Sequence, residues 1–406
     1  MSIVCRSCSA NRLQPILSLG KTPLANRLLT AEQLSEREPT YPLDLAFCSD
    51  CSLVQITETV PTAELFSEYS YFSSFSDTAV LSAKHLAERL ADERSLAAAS
   101  LVMEIASNDG YLLQHYRDLG VPVLGIEPAA NVARVAESRK IPTRCDFFGR
   151  RLAQELAAEG RRADVVHANN VLAHVADLNG VVAGIALVLK PSGVAVIEVP
   201  YLRDLIEKCE FDTIYHEHLC YFSLSALNRL FSRHRLVLAD VEHLSLHGGS
   251  LRLFVTPEGT APSKSVADML EAERATGLLA VEYYRDFSTQ IEALRNALVG
   301  LLRRLRSDGK TIAAYGASAK GSTLLNVFGI GADVLDFVVD RSTVKQGRFT
   351  PGAHLPILPT EALLERKPDY VLLLTWNFAE EILAQQANYR AQGGRFIIPV
   401  PTPQVV

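Results

Sequence analysis

Residues 101–254 carry the pattern that most restricts how this chain can fold. Short apolar runs at 101–106, 123–127, 164–169 and 194–199 alternate with stretches of helical period, so each run reads as a buried strand followed by a helix. Parallel strands need a crossover of a dozen or more residues, and the spacing leaves room for one each time. The last two runs, 236–241 and 247–255, lie too close together for a crossover helix. They must pair antiparallel, which predicts an α/β unit whose parallel sheet is closed by a hairpin.

The first turn of this unit suits a nucleoside cofactor. Ser107-Asn108-Asp109-Gly110 follows the first strand with small residues that let a ligand approach the backbone, and Glu127 ends the second strand about 20 residues later, where an acid binds ribose hydroxyls. The turn lacks the first two glycines of G-x-G-x-x-G, so it does not offer the close pyrophosphate approach of a dinucleotide site. The hairpin-closed sheet, with Glu104 ahead of the turn, resembles the class I S-adenosylmethionine methyltransferases. Further cofactor contacts are expected from Ser107, Asn108, Gly110 and Asn169, with Asp146 and Phe147 on the adenine by hydrogen bonding and stacking. Core packing is the plain alternative for Phe147.

Beyond this unit, residues 262–306 read as helical, with a long amphipathic helix over 281–306 stopped by Gly309-Lys310. A second Rossmann-like pattern follows: a strand at 311–315, the turn Gly316-Ala317-Ser318-Ala319-Lys320-Gly321, a helix from Ser322, a strand at 334–340 ending in Asp340, and strands at 370–374 and 396–400. Ser318 stands where a dinucleotide fingerprint has its middle glycine. Lys320 at the helix start suits the diphosphate of a sugar nucleotide, while a structural duplicate domain is the rival reading.

At the N-terminus, Cys5-Arg6-Ser7-Cys8 and Cys48-Ser49-Asp50-Cys51 supply four soft thiolates, the tetrahedral set of a structural zinc. A redox pair is the rival, but neither CxxC lies between a clear strand and a helix. The run 68–76, rich in Tyr, Phe and Ser, reads as a packed linker or as a place where a sugar or base is held, and a helix is expected over 79–91. A net charge of −6 argues against a nucleic-acid partner. No apolar run reaches the ~18–20 residues of a membrane span, and the opening residues are polar rather than a signal peptide, so a cytoplasmic protein with no membrane partner is expected.

Tyr215-His216-Glu217-His218 concentrates the groups suited to proton removal. Two histidines two apart do not make the helical HExxH zinc pattern. If the stretch is extended, Tyr215 and Glu217 share one face and His216 and His218 the other; if helical, Tyr215 and His218 fall on one side. Either way one histidine is expected to be structural.

Seven segments in order resemble the three-domain sugar-nucleotide C-methyltransferases that build branched deoxysugars for bacterial antibiotics and surface glycans. They are the two CxxC pairs, Tyr69-Ser70-Tyr71-Phe72-Ser73-Ser74, Glu104 to Gly110, Asn169-Asn170-Val171-Leu172-Ala173-His174, Tyr215 to His218, His247-Gly248-Gly249-Ser250 and Tyr315 to Gly321. The resemblance implies a zinc domain at 1–65, a methyltransferase domain at 66–260, a helical linker at 261–308 and a Rossmann-like platform for the sugar nucleotide at 309–406. It implies a dTDP-linked 4-keto-deoxysugar methylated on carbon 3, with His218 as base, Tyr215, Glu217, His174 and Tyr69 around the reacting sugar, and Tyr71, Ser73, His247 and Lys320 on the substrate. Glu217 is expected to orient His218 or raise its basicity, and the zinc to stabilise its domain without touching the chemistry. No obligate protein partner is expected. A nicotinamide-dependent oxidoreductase using the second turn and Asp340, and a noncatalytic sugar-nucleotide-binding protein, are the rival functions.

Overall fold

The computed structural model describes residues 3–61, 73–245 and 248–406. Tyr69, Tyr71 and His247 therefore lie outside the described residues.

The N-terminal unit is an antiparallel sheet of β1 (Leu13–Thr22), β2 (Tyr41–Cys48) and β3 (Val54–Ile56). Each CxxC forms the same knuckle. Ser9 N–H donates to Cys5 O and Ser52 N–H to Cys48 O, while Cys5 N–H reaches Ala10 O and Cys48 N–H reaches Leu53 O. Ser9 and Ser52 both sit at φ 62°, the left-handed conformation that closes so tight a turn.

The middle unit begins with helix α1 (Asp77–Glu93), which the Ser76 side chain caps by accepting from Ala79 N–H. Its strands are β4 (Val102–Ile105), β5 (Val123–Ile126), β6 (Thr143–Arg144), β7 (Ala163–Asn169) and β8 (Leu189–Pro200). After β9 (Cys220–Tyr221) come β10 (Leu236–Leu244) and β11 (Ser250–Pro257). The sheet runs β10-β11-β8-β7-β4-β5-β6, and only β11 is antiparallel to its neighbours. The predicted hairpin is present, and β11 inserts between β10 and β8. Strand order reverses at β4, flanked by β7 and β5, so a crevice opens at the carboxyl ends of these strands.

The C-terminal unit follows helix α2 (Phe287–Ser307). The sequence places one helix over 281–306, but a 3-10 turn at Val281–Tyr284 precedes α2. The break lets Tyr284 turn inward, where its hydroxyl donates to Leu278 O and its ring packs on Phe47. The sheet comprises β12 (Ile312–Tyr315), then, after helix α3 (Ala319–Phe328), β13 (Val338–Val339), β14 (Ile357–Leu358), β15 (Tyr370–Leu373), β16 (Arg395–Ile398) and β17 (Gln404–Val405). Its order is β14-β13-β12-β15-β16-β17, parallel except for β17. The strand expected at 334–340 shrinks to two residues. Val334 and Leu335 are held in a turn on Gly331 O, and the Asp336 carboxylate accepts from Ile312 N–H and from Arg306.

The three units are stitched together. β9 adds to the N-terminal sheet beside β3. Leu29 bridges to Phe349, and Glu38 accepts from Gly352 N–H and contacts His354 Nε2. Among the described residues no helix is long and apolar enough to cross a membrane.

Candidate active site and metal centre

The four cysteine sulfurs converge. Cys5 Sγ lies 3.4 Å from Cys51 Sγ and Cys8 Sγ 3.6 Å from Cys48 Sγ, and all four lie within 4.8 Å of one another. Thiolates about 2.3 Å from a central ion sit at such separations, and four of them leave no open position, so the donor set fits a structural zinc. The neighbouring Cys5 thiol and then burial push the Cys51 thiol far above its ordinary value.

In the crevice of the middle sheet, Glu104 ends buried with Oε2 lacking a hydrogen-bond partner, and desolvation followed by the nearby Asp109 carboxylate raises its pKa well above the usual range. Ser107 Oγ and Asn169 Oδ1 are likewise buried without partners. Three unsatisfied polar atoms at the ends of β4 and β7 fit a ligand rich in donors and hydroxyls, as S-adenosylmethionine is. Glu127 holds the turn itself, accepting from Asn108 N–H at 3.0 Å and Ala129 N–H at 2.8 Å. Gly110 adopts φ 79°, and a β-carbon there would lie 2.8 Å from Ile141 Cγ1. Asp146 and Phe147 follow β6 at the sheet edge. Asp146 pairs with Arg151 at 2.7 Å, and the Phe147 ring is 58% exposed, which removes core packing as its role. Ser73 N–H donates to Asn108 Oδ1 at 2.9 Å, which puts this expected sugar contact at the cofactor turn.

The histidine cluster lies where the N-terminal sheet meets the middle unit. His218 and Tyr215 are joined through Nε2 and the hydroxyl at 2.7 Å, with ring centroids 4.0 Å apart. His218 Nδ1 lies 2.9 Å from Thr213 O. A carbonyl only accepts, so Nδ1 carries the proton and Nε2 is the basic nitrogen, accepting from the phenol. His174 stands edge-on at 4.7 Å, brought there by the hydrogen bond from Leu219 N–H to Ala173 O. Burial, then His174, pushes the His218 pKa well below its usual value, and burial lowers that of His174 to about 4. Both rings are therefore neutral near pH 7.

Glu217 departs from expectation. Its carboxylate accepts from Asn26 Nδ2 at 2.8 and 3.0 Å, and Thr213 O rather than Glu217 orients His218. His218 N–H closes a turn on Tyr215 O, and in so tight a turn consecutive side chains diverge. His216 points to the N-terminal sheet, with Nε2 at 3.1 Å from Pro42 O. The N-terminal unit thus touches His216 through Pro42 and the Glu217 carboxylate through Asn26, and β9, two residues beyond His218, adds to its sheet.

Lys320 lies in the first turn of α3, behind the Ser318 cap, with Nζ 4.6 Å from the centre of the Trp376 ring. Asp340 accepts from Ala317 N–H and Ser342 N–H, both at 2.8 Å. Sequence reasoning missed Asn26, Asp212, Thr213 and Trp376. Thr213 acts through its backbone and Asn26 lies 191 positions from its partner, so neither leaves a local signal.

A hairpin-closed parallel sheet with an acid-lined crevice, joined to a four-thiol knuckle pair, defines a methyltransferase with an added metal-binding unit. Family profiles match in the same order: a zinc binding domain at residues 5–66, a methyltransferase domain at 82–239 and a C-methyltransferase C-terminal domain at 245–401. C-methyltransferase NovU of Streptomyces niveus is 36% identical over 404 residues, which is 99% of this chain and 96% of that protein. The chain belongs to this family of S-adenosylmethionine-dependent C-methyltransferases with a zinc-binding domain. Solved structures show partial similarity: magnesium protoporphyrin IX methyltransferase of Synechocystis (13% identity, 44% of this chain and 79% of that one, TM-score 0.35) and the PH0226 protein of Pyrococcus horikoshii (17%, 48% and 99%, TM-score 0.37).

Proposed function

We propose that the enzyme methylates carbon 3 of a dTDP-linked 4-keto-deoxysugar, with His218 as the general base. The observation that carries this reading is the neutral His218 ring, with its proton fixed on Nδ1 by Thr213 O and Nε2 directed to the Tyr215 hydroxyl. Carbon is a weak nucleophile, but a proton next to a ketone is acidic enough for imidazole when the enolate is stabilised. His218 Nε2 takes that proton. The Tyr215 hydroxyl, released from Nε2, donates to the 4-keto oxygen, and the neutral His174 ring stands edge-on beside His218. S-adenosylmethionine, held by Glu104, Ser107, Asn108, Gly110, Glu127 and Asn169 with Asp146 and Phe147 at the adenine, supplies an electrophilic methyl group. Lys320 and the start of α3 take the diphosphate, as a cation beside free N–H groups at a helix start does. In this reading residues 1–65 hold the metal, 66–260 the methyl donor and 309–406 the nucleotide, with 261–308 as the link.

The test incubates the protein with S-adenosylmethionine and dTDP- and GDP-linked 4-keto-deoxysugars, following S-adenosylhomocysteine and product mass together. A product one methyl unit heavier, formed with the dTDP sugar and abolished in His218→Gln, is the expected result. Methyl transfer surviving that substitution would show that the base is another residue.

A further inference from the structure

Trp376, the chain's single tryptophan, sits where the C-terminal sheet meets the segment leading to His218. It opens the short turn Trp376–Phe378 beyond β15, and its Nε1–H donates to Asp212 Oδ2 at 2.6 Å. Asp212 is wholly buried in the turn Phe211–Thr213. On one side of it, Phe211 stacks on Phe328 of α3 with centroids 4.6 Å apart and planes at 25°. On the other, Thr213 O receives the Nδ1 proton of His218. Three consecutive residues thus link two side-chain contacts from the C-terminal unit to the carbonyl that sets the histidine tautomer.

The tightness of this link follows from burial. A carboxylate out of water holds its donors strongly, and one stranded by loss of a donor moves to find another. Asp212 and the Thr213 carbonyl lie in one short turn, closed by Thr213 N–H on Glu210 O and Ile214 N–H on Phe211 O, so a shift of the Asp212 backbone is passed on to the Thr213 carbonyl. We infer that Trp376 and Asp212 are positioning residues: the C-terminal unit, through the indole N–H and the buried carboxylate, fixes the Thr213 carbonyl that keeps the His218 proton on Nδ1. This rests on His218 being the base. It gives the C-terminal unit a part in the chemistry besides holding a nucleotide.

The test uses the full-length protein and Trp376→Phe, which keeps a ring beneath Lys320 and removes only the donor. In ¹⁵N-histidine-labelled protein, the His218 signal is identified by its absence from His218→Gln. Wild type is expected to show only the Nδ1–H tautomer, and Trp376→Phe to show the Nε2–H form beside it. The same substitution is expected to lower kcat about 10- to 100-fold, the scale of a misplaced reacting group, with KM for a dTDP-linked 4-keto-6-deoxyhexose kept within about twofold. A second pair leaves the indole untouched: Asp212→Asn, which keeps an acceptor, holds the wild-type tautomer, and Asp212→Ala, which has none, loses it. An unchanged tautomer in Trp376→Phe and Asp212→Ala overturns the inference whatever happens to the rate. If His218→Gln instead leaves methyl transfer intact, the base assignment fails, and the tautomer comparison still decides whether Trp376 acts on His218.

Discussion

His218 and Glu217 are adjacent, both are buried, and burial moves their proton affinities in opposite directions. For His218 the neutral form is favoured, so its pKa in the free enzyme lies below 6.5. The base must be unprotonated to act, so kcat/KM should be flat near pH 7 and fall only on the acid side, with the limb below pH 6.5; a profile measured from pH 4 to 9 checks this. For Glu217 the same desolvation, opposed by Asn26, lifts the pKa from 4.5 to about 7. The folded state then holds the proton more tightly than the unfolded one, so the contribution of Glu217 to stability is greatest below pH 4.5 and declines as pH rises to 7. Glu217→Gln removes the buried charge. It should raise the melting temperature at pH 8, by up to about 3 kcal/mol in stability, and change it little at pH 5.

At the scale of elements, the cofactor turn joins β4 to the helix Leu113–Asp118, and its shape depends on Gly110. Gly110→Ala brings left-handed strain of about 1–2 kcal/mol and also pushes a methyl group against Ile141. Gly120 has nearly the same φ, 77°, with open space where a β-carbon would go. Calorimetric titration with S-adenosylmethionine should show affinity lost in Gly110→Ala and kept in Gly120→Ala; equal loss in both would mean that strain alone, rather than the turn, is being measured. The turn was legible because a strand, a run of small residues and an acid about 20 residues on obey local rules. The split of the 281–306 helix was not, since it depends on Tyr284 finding Leu278 O and Phe47, and Phe47 lies more than 200 positions away.

Across the whole molecule, the N-terminal unit reaches Glu217 through Asn26 and His216 through Pro42, and β9 joins its sheet, so loss of the metal is expected to disturb the segment that carries His218. Elemental analysis should find about one zinc per chain, as four thiolates require. Cys48→Ser should weaken zinc retention and reduce methyl transfer while leaving S-adenosylmethionine affinity near wild type, because the crevice between β4, β5 and β7 is built by a different sheet. Loss of cofactor binding in the same variant would show that the two sheets fold as one unit.

The sequence by itself determined the two CxxC knuckles, the alternation that builds the middle sheet, its closing hairpin and the Tyr215–His218 segment, since each depends on the residue types and spacings of a short stretch. The tertiary structure decided which atoms meet: Asn26 rather than His218 on Glu217, Thr213 O on His218, and Trp376 on Asp212. Spacing fixes which residues share an element. What a buried polar atom bonds to depends on which elements pack beside it, because desolvation makes a partner obligatory without specifying where in the chain it comes from.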